Sequence, residues 1–283
     1  MIEQTFDGSD RYPEIVREYW LSHPNYLIEY NEKVENKEWC AVYFCSNDIW
    51  FPHTESIFRK RILEKNFFEW YRCRINRAYK HIFIRDVYKQ WYIKGINGEI
   101  SSQEKLLDFL KKETQGFKVV TIGSSAGGYA ATLFGGKLAA EQVICFNGQF
   151  CLEKEVQRST LDSNPILFRL KTAGAKVESL LLDVQDNAHI YYVYSNKSVS
   201  DVEQHRYVEG VKNLSCIAFD SSKHGIPFLK VALPIFINLS AEEMERLSER
   251  NHHPVCFTIH CVGIWQTISG FFRQAYNAYR KRR

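Results

Sequence analysis

A serine hydroxyl is a weak nucleophile until a base takes its proton and donors stand ready for the charge that develops on its target. One stretch has the residue types for that chemistry, Gly123-Ser124-Ser125-Ala126-Gly127-Gly128. It follows the apolar run 118–122 (KVVTI) and precedes a stretch of small apolar residues, 127–140, with helical character. Strand, tight turn and helix form the context in which G-x-S-x-G lifts a serine onto the tip of a strained turn. Positions two residues either side must be tiny, or their side chains would strike the strand and helix around the turn. Gly123 and Gly127 meet that need for Ser125, whereas Ser124 is one position out of register. The amide of Ala126, at the start of the helix, is the expected first donor to an oxyanion. A phosphate-cradling loop is the competing reading, but no G-K-[ST] follows and G-x-G-x-x-G is absent.

In serine enzymes built on such an elbow, the acid and then the base follow along the chain, on loops after later strands. The sequence offers both. After the run 189–194 (HIYYVY) comes a loop reaching Asp201, and after 214–219 (LSCIAF) comes Asp220-Ser221-Ser222-Lys223-His224-Gly225. His224 is the expected base, and Asp201 the carboxylate that fixes its tautomer. Asp220 also follows a suitable strand but lies only four residues before His224. Asp183 and Asp186 precede their strand and so fall at the wrong sheet edge. For His189, at a strand start, and His205, on a helix after the acid loop, a surface polar role is expected.

The elements that must position these residues alternate. Short, nearly continuous apolar runs at 39–45, 81–85, 118–122, 142–146, 189–194 and 214–219 are separated by helical patterns, such as 102–114 with Leu106, Leu107 and Leu110 on one face. Runs of that kind suit parallel strands covered on both faces, so the expected class is α/β with a mostly parallel, helix-flanked sheet. Residues 26–30 are expected as an early edge strand. A second oxyanion donor is expected from the loop after 39–45, at Ser46 or Asn47. The block after 81–85 mixes aromatic and polar groups at the same sheet edge, and Arg85, Gln90, Trp91 and Tyr92 are the expected substrate-binding residues; an aromatic core segment is the equal alternative.

The resemblance carried by GSSAGG at 123–128, HIFIRDVYKQWYIKGI at 81–96 and SSKHG at 221–225 is to the α/β-hydrolase superfamily. Within it, the chain resembles proteins encoded among bacterial surface-polysaccharide genes, capsular polysaccharide O-acetyltransferases included. The resemblance spans about residues 39–225. It implies an α/β-hydrolase fold, a Ser–Asp–His triad and acyl transfer or ester hydrolysis on a carbohydrate, with acetyl-CoA as an acyl donor and no bound cofactor. The rival from another class is a non-catalytic scaffold of this fold that binds a glycan or partners a glycosyltransferase.

Composition is compatible with these readings. The 283 residues are 45% hydrophobic and 25% charged, and the formal net charge of +4 is too small to imply nucleic-acid binding. The eight cysteines form no C-x-x-C pair and are expected as buried, reduced thiols. With three acids in the first ten residues and no long apolar run, a cytoplasmic location is expected. His252, His253, Cys256, His260 and Cys261 lack zinc-ligand spacing, so no metal is expected and 252–261 reads as a strand or loop. The expected division is a hydrolase domain over 1–261, with a cap insertion at 150–186, and a C-terminal amphipathic helix over 262–283. In that helix Ile264, Ile268, Phe271, Phe272, Ala275 and Tyr279 share a face, and Arg273 and 280–283 (RKRR) are basic. The favoured expectation packs the stripe on its own domain. The alternative docks it on a partner such as a glycosyltransferase, or on an anionic membrane at the inner face.

Overall fold

The computed structural model describes residues 14–160, 167–168, 171 and 188–282. Seven strands form one sheet in the order β1-β3-β2-β4-β5-β6-β7. They are β1 (Tyr26–Tyr30), β2 (Trp39–Phe44), β3 (Lys80–Ile84), β4 (Lys118–Ser124), β5 (Gln142–Phe146), β6 (Ile190–Ser195) and β7 (Leu214–Phe219). β1 pairs antiparallel with β3 at the edge, and every other pairing is parallel. The strand runs read as apolar because β3, β5 and β6 are buried at every position.

The strand order reverses between β2 and β4. From β2 the chain passes outward to β3, while from β4 it proceeds through β5, β6 and β7. In open parallel sheets a cleft forms at such a reversal, outside the carboxyl ends of the strands, and here β4 carries the Gly-Ser-Ser-Ala-Gly turn to that edge. This sheet, mostly parallel and flanked by helices, is the α/β-hydrolase fold.

Helix α1 (Glu14–Ser22) and the single turn α2 (Glu55–Phe58) meet through Tyr19 and Phe58, edge-on at a ring separation of 5.7 Å. α3 (Gln103–Thr114) starts where Ser102 accepts a hydrogen bond from the Lys105 amide, and it buries Leu106 and Leu110. α4 (Ala126–Lys137) is buried over its whole length up to Gly136. Its glycines permit that: a Cβ on Gly135 would lie 2.5 Å from Thr121 Oγ1 and Val143 Cγ2. α5 (Leu152–Arg158) opens the segment expected as a cap; most of 150–186 lies outside the described residues. α6 (Val199–Val208) and α7 (Leu233–Phe236) follow β6 and β7, and α8 (Ala241–Ser248) begins in a capping box between Ser240 and Glu243.

Two expectations fail in the C-terminal third. Residues 252–261 are no strand: α9 (Pro254–Val262) is a helix, with Pro254 in its first turn and the His253 ring accepting from the Cys256 amide. The β-branched run suggested a strand, but a proline following a capping side chain starts a helix. The second concerns α10 (Ile264–Arg282). The stripe expected to pack on the domain does not do so. Thr267 and Gly270 face inward, and a Cβ on Gly270 would lie 2.8 Å from Val231 Cγ1, while Ile264, Ile268, Phe271, Phe272 and Tyr279 are exposed. Among the described residues no helix is long and apolar enough to cross a membrane.

Candidate active site

The turn after β4 is built by its glycines. A Cβ on Gly123 would lie 1.9 Å from the Gly127 carbonyl oxygen, and one on Gly127 would lie 2.3 Å from the Phe44 carbonyl oxygen. Both positions therefore exclude any larger residue. Between them Ser125 takes φ 53° and ψ −117°, a strained conformation for a residue with a side chain. Its amide donates to the Phe146 carbonyl at 2.8 Å, which ties the tip to β5. Ser124 ends β4 and is buried, whereas Ser125 faces a cleft.

Ser125 Oγ lies 3.0 Å from His224 Nε2, and His224 Nδ1 lies 2.6 Å from Asp201 Oδ1. Three loops, after β4, β6 and β7, bring these side chains together across 99 and 23 residues of sequence. Asp201 is buried and sits in the first turn of α6, one step beyond the loop on which it was expected. Its second oxygen accepts from Asn147 Nδ2 and, at 3.4 Å, from the Ser195 amide. The carboxylate is thereby fixed on both sides, leaving Oδ1 aimed at the imidazole.

Loop lacing holds His224 in place. Ser195 Oγ donates to the Lys223 carbonyl at 2.6 Å, and the Lys197 amide donates to the Ser221 carbonyl at 3.0 Å. Asp220, the competing acid, is spent on this lacing: it accepts from Asn196 Nδ2 at 2.8 Å. His189 contacts Glu245 at 2.8 Å and Ser215 at 3.0 Å, and His205 stacks on Tyr194 at a ring separation of 4.6 Å. Asp183 and Asp186 lie outside the described residues.

The loop after β2 separates its two expected donors. The Ser46 amide donates to Glu69 Oε2 at 2.6 Å and its hydroxyl to Oε1 at 3.1 Å, so Ser46 is occupied by a carboxylate whose pKa burial raises. An oxyanion beside that carboxylate would be repelled. Asn47 instead lines the cleft with Ser125, at the first position of a short 3₁₀ turn over Asn47–Trp50. An amide in that position has no partner within its own turn and suits an oxyanion.

The block after β3 requires correction at three of its four expected residues. Arg85 is buried and points into the protein: Nε donates to Asn25 Oδ1 at 3.1 Å, and the two terminal nitrogens to the Phe67 carbonyl and the Tyr19 hydroxyl at 3.1 and 2.6 Å. Burial lowers its pKa. Tyr92 is fully buried and donates to the Cys45 carbonyl at 2.8 Å. Gln90 is buried, and its backbone N–H donates to Asp86 Oδ2 at 2.6 Å. Asp86 also accepts from the Tyr88 and Tyr92 amides, both at 3.0 Å, and burial raises its pKa to about 6. Trp91 alone of the four reaches the cleft, where Nε1 donates to Gln149 Oε1 at 2.5 Å.

The cleft has a volume of about 630 Å³ and mixes rings with polar groups. Beside Ser125, Asp201 and His224 it is lined by Phe51, His53 and Trp91, by Asn47, Asp48 and Asn147, and by Gln149, Glu155, Ser200 and Gln204. Sequence reasoning missed Asn147, although an Asn-Gly pair ending the strand beside the elbow is a readable sign. Asn147 has φ 46°, which Asn tolerates better than most residues. It missed His53, Gln149 and Glu155 because neither strand register nor motif marks them.

The sheet, with a serine elbow at its switch point, is that of the α/β-hydrolase fold. No protein-family model and no curated protein sequence matches the chain. Solved structures do match it. The capsule O-acetyltransferase of Neisseria meningitidis serogroup A aligns over 81% of this chain and 93% of its own, with a TM-score of 0.50 and 11% identity. A Staphylococcus aureus protein of unknown function aligns over 79% and 94%, with a TM-score of 0.47 and 11% identity. A fluorophosphonate-binding serine hydrolase of Staphylococcus aureus aligns over 66% and 78%, with a TM-score of 0.39 and 8% identity. At such identities the likeness is one of fold.

Proposed function

We propose that the protein is a serine-dependent acyltransferase or esterase acting on O-acetyl groups of a carbohydrate, in the first instance a bacterial surface polysaccharide. The observation that carries this reading is the unbroken contact from Ser125 through His224 to Asp201 at the open edge of the sheet. His224 Nε2 takes the Ser125 proton as Oγ attacks the acyl carbonyl, and the Nδ1 proton stays hydrogen-bonded to Asp201 as the imidazolium forms. The amides of Ala126 and Asn47 are assigned to the oxyanion. Collapse of the intermediate leaves an acyl group on Ser125 and passes the proton to the departing thiol or alcohol. A sugar hydroxyl, or water, then attacks the acyl-serine while His224 takes its proton and returns it to Ser125.

Two features support a carbohydrate. Phe51, an exposed ring, and the edge of buried Trp91 line the cleft with amide and carboxylate groups, a mixture suited to sugar rings and hydroxyls. The capsule O-acetyltransferase named above shares the fold over most of both chains, and acetyl-CoA is the acyl donor proposed here. The test is incubation of the protein with acetyl-CoA and with acetylated and deacetylated surface polysaccharides, read by mass. Acetyl gain on the glycan identifies a transferase, and release of acetate from it an esterase. Unchanged acetyl content on every glycan, with Ser125 still reactive toward a fluorophosphonate, would remove the glycan from the account and leave the serine chemistry.

A further inference from the structure

Helix α10 presents to solvent the face that an ordinary surface helix buries. At 100° per residue, Ile264, Trp265, Ile268, Phe271, Phe272, Tyr276 and Tyr279 fall within an arc of about 140°. Trp265 is 80% exposed, Phe272 66% and Tyr276 60%. The inward side carries Thr267, Gly270 and Gln274, whose Oε1 accepts from the Lys230 amide at 3.2 Å. The small residues seat the helix on the domain, so its attachment does not consume the aromatic face. A run of large apolar side chains held out in this way marks an interaction site.

Charge selects the occupant. From Arg250 onward the sequence contains no Asp or Glu, while Arg250, Arg273, Arg280, Lys281, Arg282 and Arg283 are cationic. A second copy of the helix would bring no countercharge to this face. Anionic lipid headgroups bring one, and tryptophan, tyrosine and phenylalanine are the side chains that settle at the boundary between headgroups and acyl chains. The helix does not have the apolar length to span a bilayer.

We infer that α10 is an in-plane membrane anchor, binding an anionic lipid surface through the aromatic face between Ile264 and Tyr279, with the positive charge of the sequence from Arg250 onward adding attraction to the surface. This places the protein on a surface without involving Ser125, and it stands independently of the acyl-transfer reading.

The test is co-sedimentation of the full chain with vesicles of phosphatidylglycerol and phosphatidylcholine, or of phosphatidylcholine alone. Binding is expected to the anionic vesicles, weakening as salt rises from 0.05 to about 0.5 M as the Debye length shortens. The variant Trp265→Ser/Phe272→Ser should bind at least about tenfold more weakly, since two interfacial rings are lost. Replacing 280–283 by glutamine should cost roughly fivefold per charge that contacts the surface. Both variants should keep the parent melting temperature. Absence of binding to anionic vesicles by the intact chain would overturn the inference. So would a large fall in melting temperature in Trp265→Ser/Phe272→Ser, which would show these rings packed within the protein. A concentration-dependent dimer abolished by the same substitutions, without vesicle binding, would overturn it in favour of a second copy.

Discussion

Two segments leave the same edge of the sheet and meet different fates. After β6 and β7, the chain sends short loops across the edge and brings Asp201 and His224 to Ser125. After β3, a longer segment with more ionisable and aromatic residues turns inward. Arg85, Asp86, Gln90 and Tyr92 are buried among partners within the fold, and of the expected binding residues only Trp91 lines the cleft. Emergence at the carboxyl edge is therefore not enough to make a residue functional. What separates the segments is where their polar groups find partners. Arg85 has three acceptors within the fold, and Asp86 gathers the amides of its own turn. His224, by contrast, keeps a side chain 41% exposed, with one nitrogen at Ser125.

Four measurements would break or sharpen this contrast. On the β6–β7 side, Asp201→Asn should lower kcat by about 10⁴-fold, because the amide favours the wrong His224 tautomer. Circular dichroism should remain that of the parent, and a loss confined to Asp220→Asn would reverse the assignment of the acid. On the β3 side, Arg85→Met should remove about 3–5 kcal/mol of stability by leaving the Tyr19, Phe67 and Asn25 acceptors unpaired in the interior. Urea denaturation would measure that, and kcat of the folded fraction should stay within about twofold of the parent. A large change in KM with unchanged stability would restore Arg85 to the substrate site.

Smaller effects follow from the residues that support each side. Asn147→Ala should reduce kcat about 10- to 100-fold through misplacement of Asp201, with KM little altered. For Asp86 the sign follows from its raised pKa of about 6 against an ordinary value of 3.8. The folded state holds the proton more tightly, so the stability it contributes is present below about pH 4 and lost as pH rises through about 6. The parent should lose about 2 kcal/mol more than Asp86→Asn between pH 4.5 and 6.5 in urea denaturation. Parallel pH profiles for the two proteins would show that Asp86 does not titrate in this range.

The legible parts of the molecule were those fixed by steric necessity or by chain order. The glycines at 123 and 127 could be read because a Cβ there strikes backbone. The strands could be read because a doubly covered strand has no polar face to interrupt its run. The direction of a side chain after the strand ends was not legible. Trp91 is brought to the cleft wall by a turn with positive φ at Lys89, Trp91 and Tyr92, organised around Asp86, that no local pattern announced. Ser46 was misjudged for a related reason. Its competitor, Glu69, arrives from 23 residues away, and nothing in the loop itself reveals it. The outward face of α10 was readable as amphipathic but not as reversed, because the periodicity of a stripe does not say which side meets the domain.

The central claim is that Ser125 is activated by its contact with His224. Its most direct test is labelling with a fluorophosphonate probe in the parent, Ser124→Ala, Ser125→Ala and His224→Ala proteins. Strong labelling is expected of the parent and of Ser124→Ala, with none of Ser125→Ala and at least about 10³-fold slower labelling of His224→Ala. Labelling of Ser125→Ala at the parent rate, or a parent protein that never reacts, would contradict it.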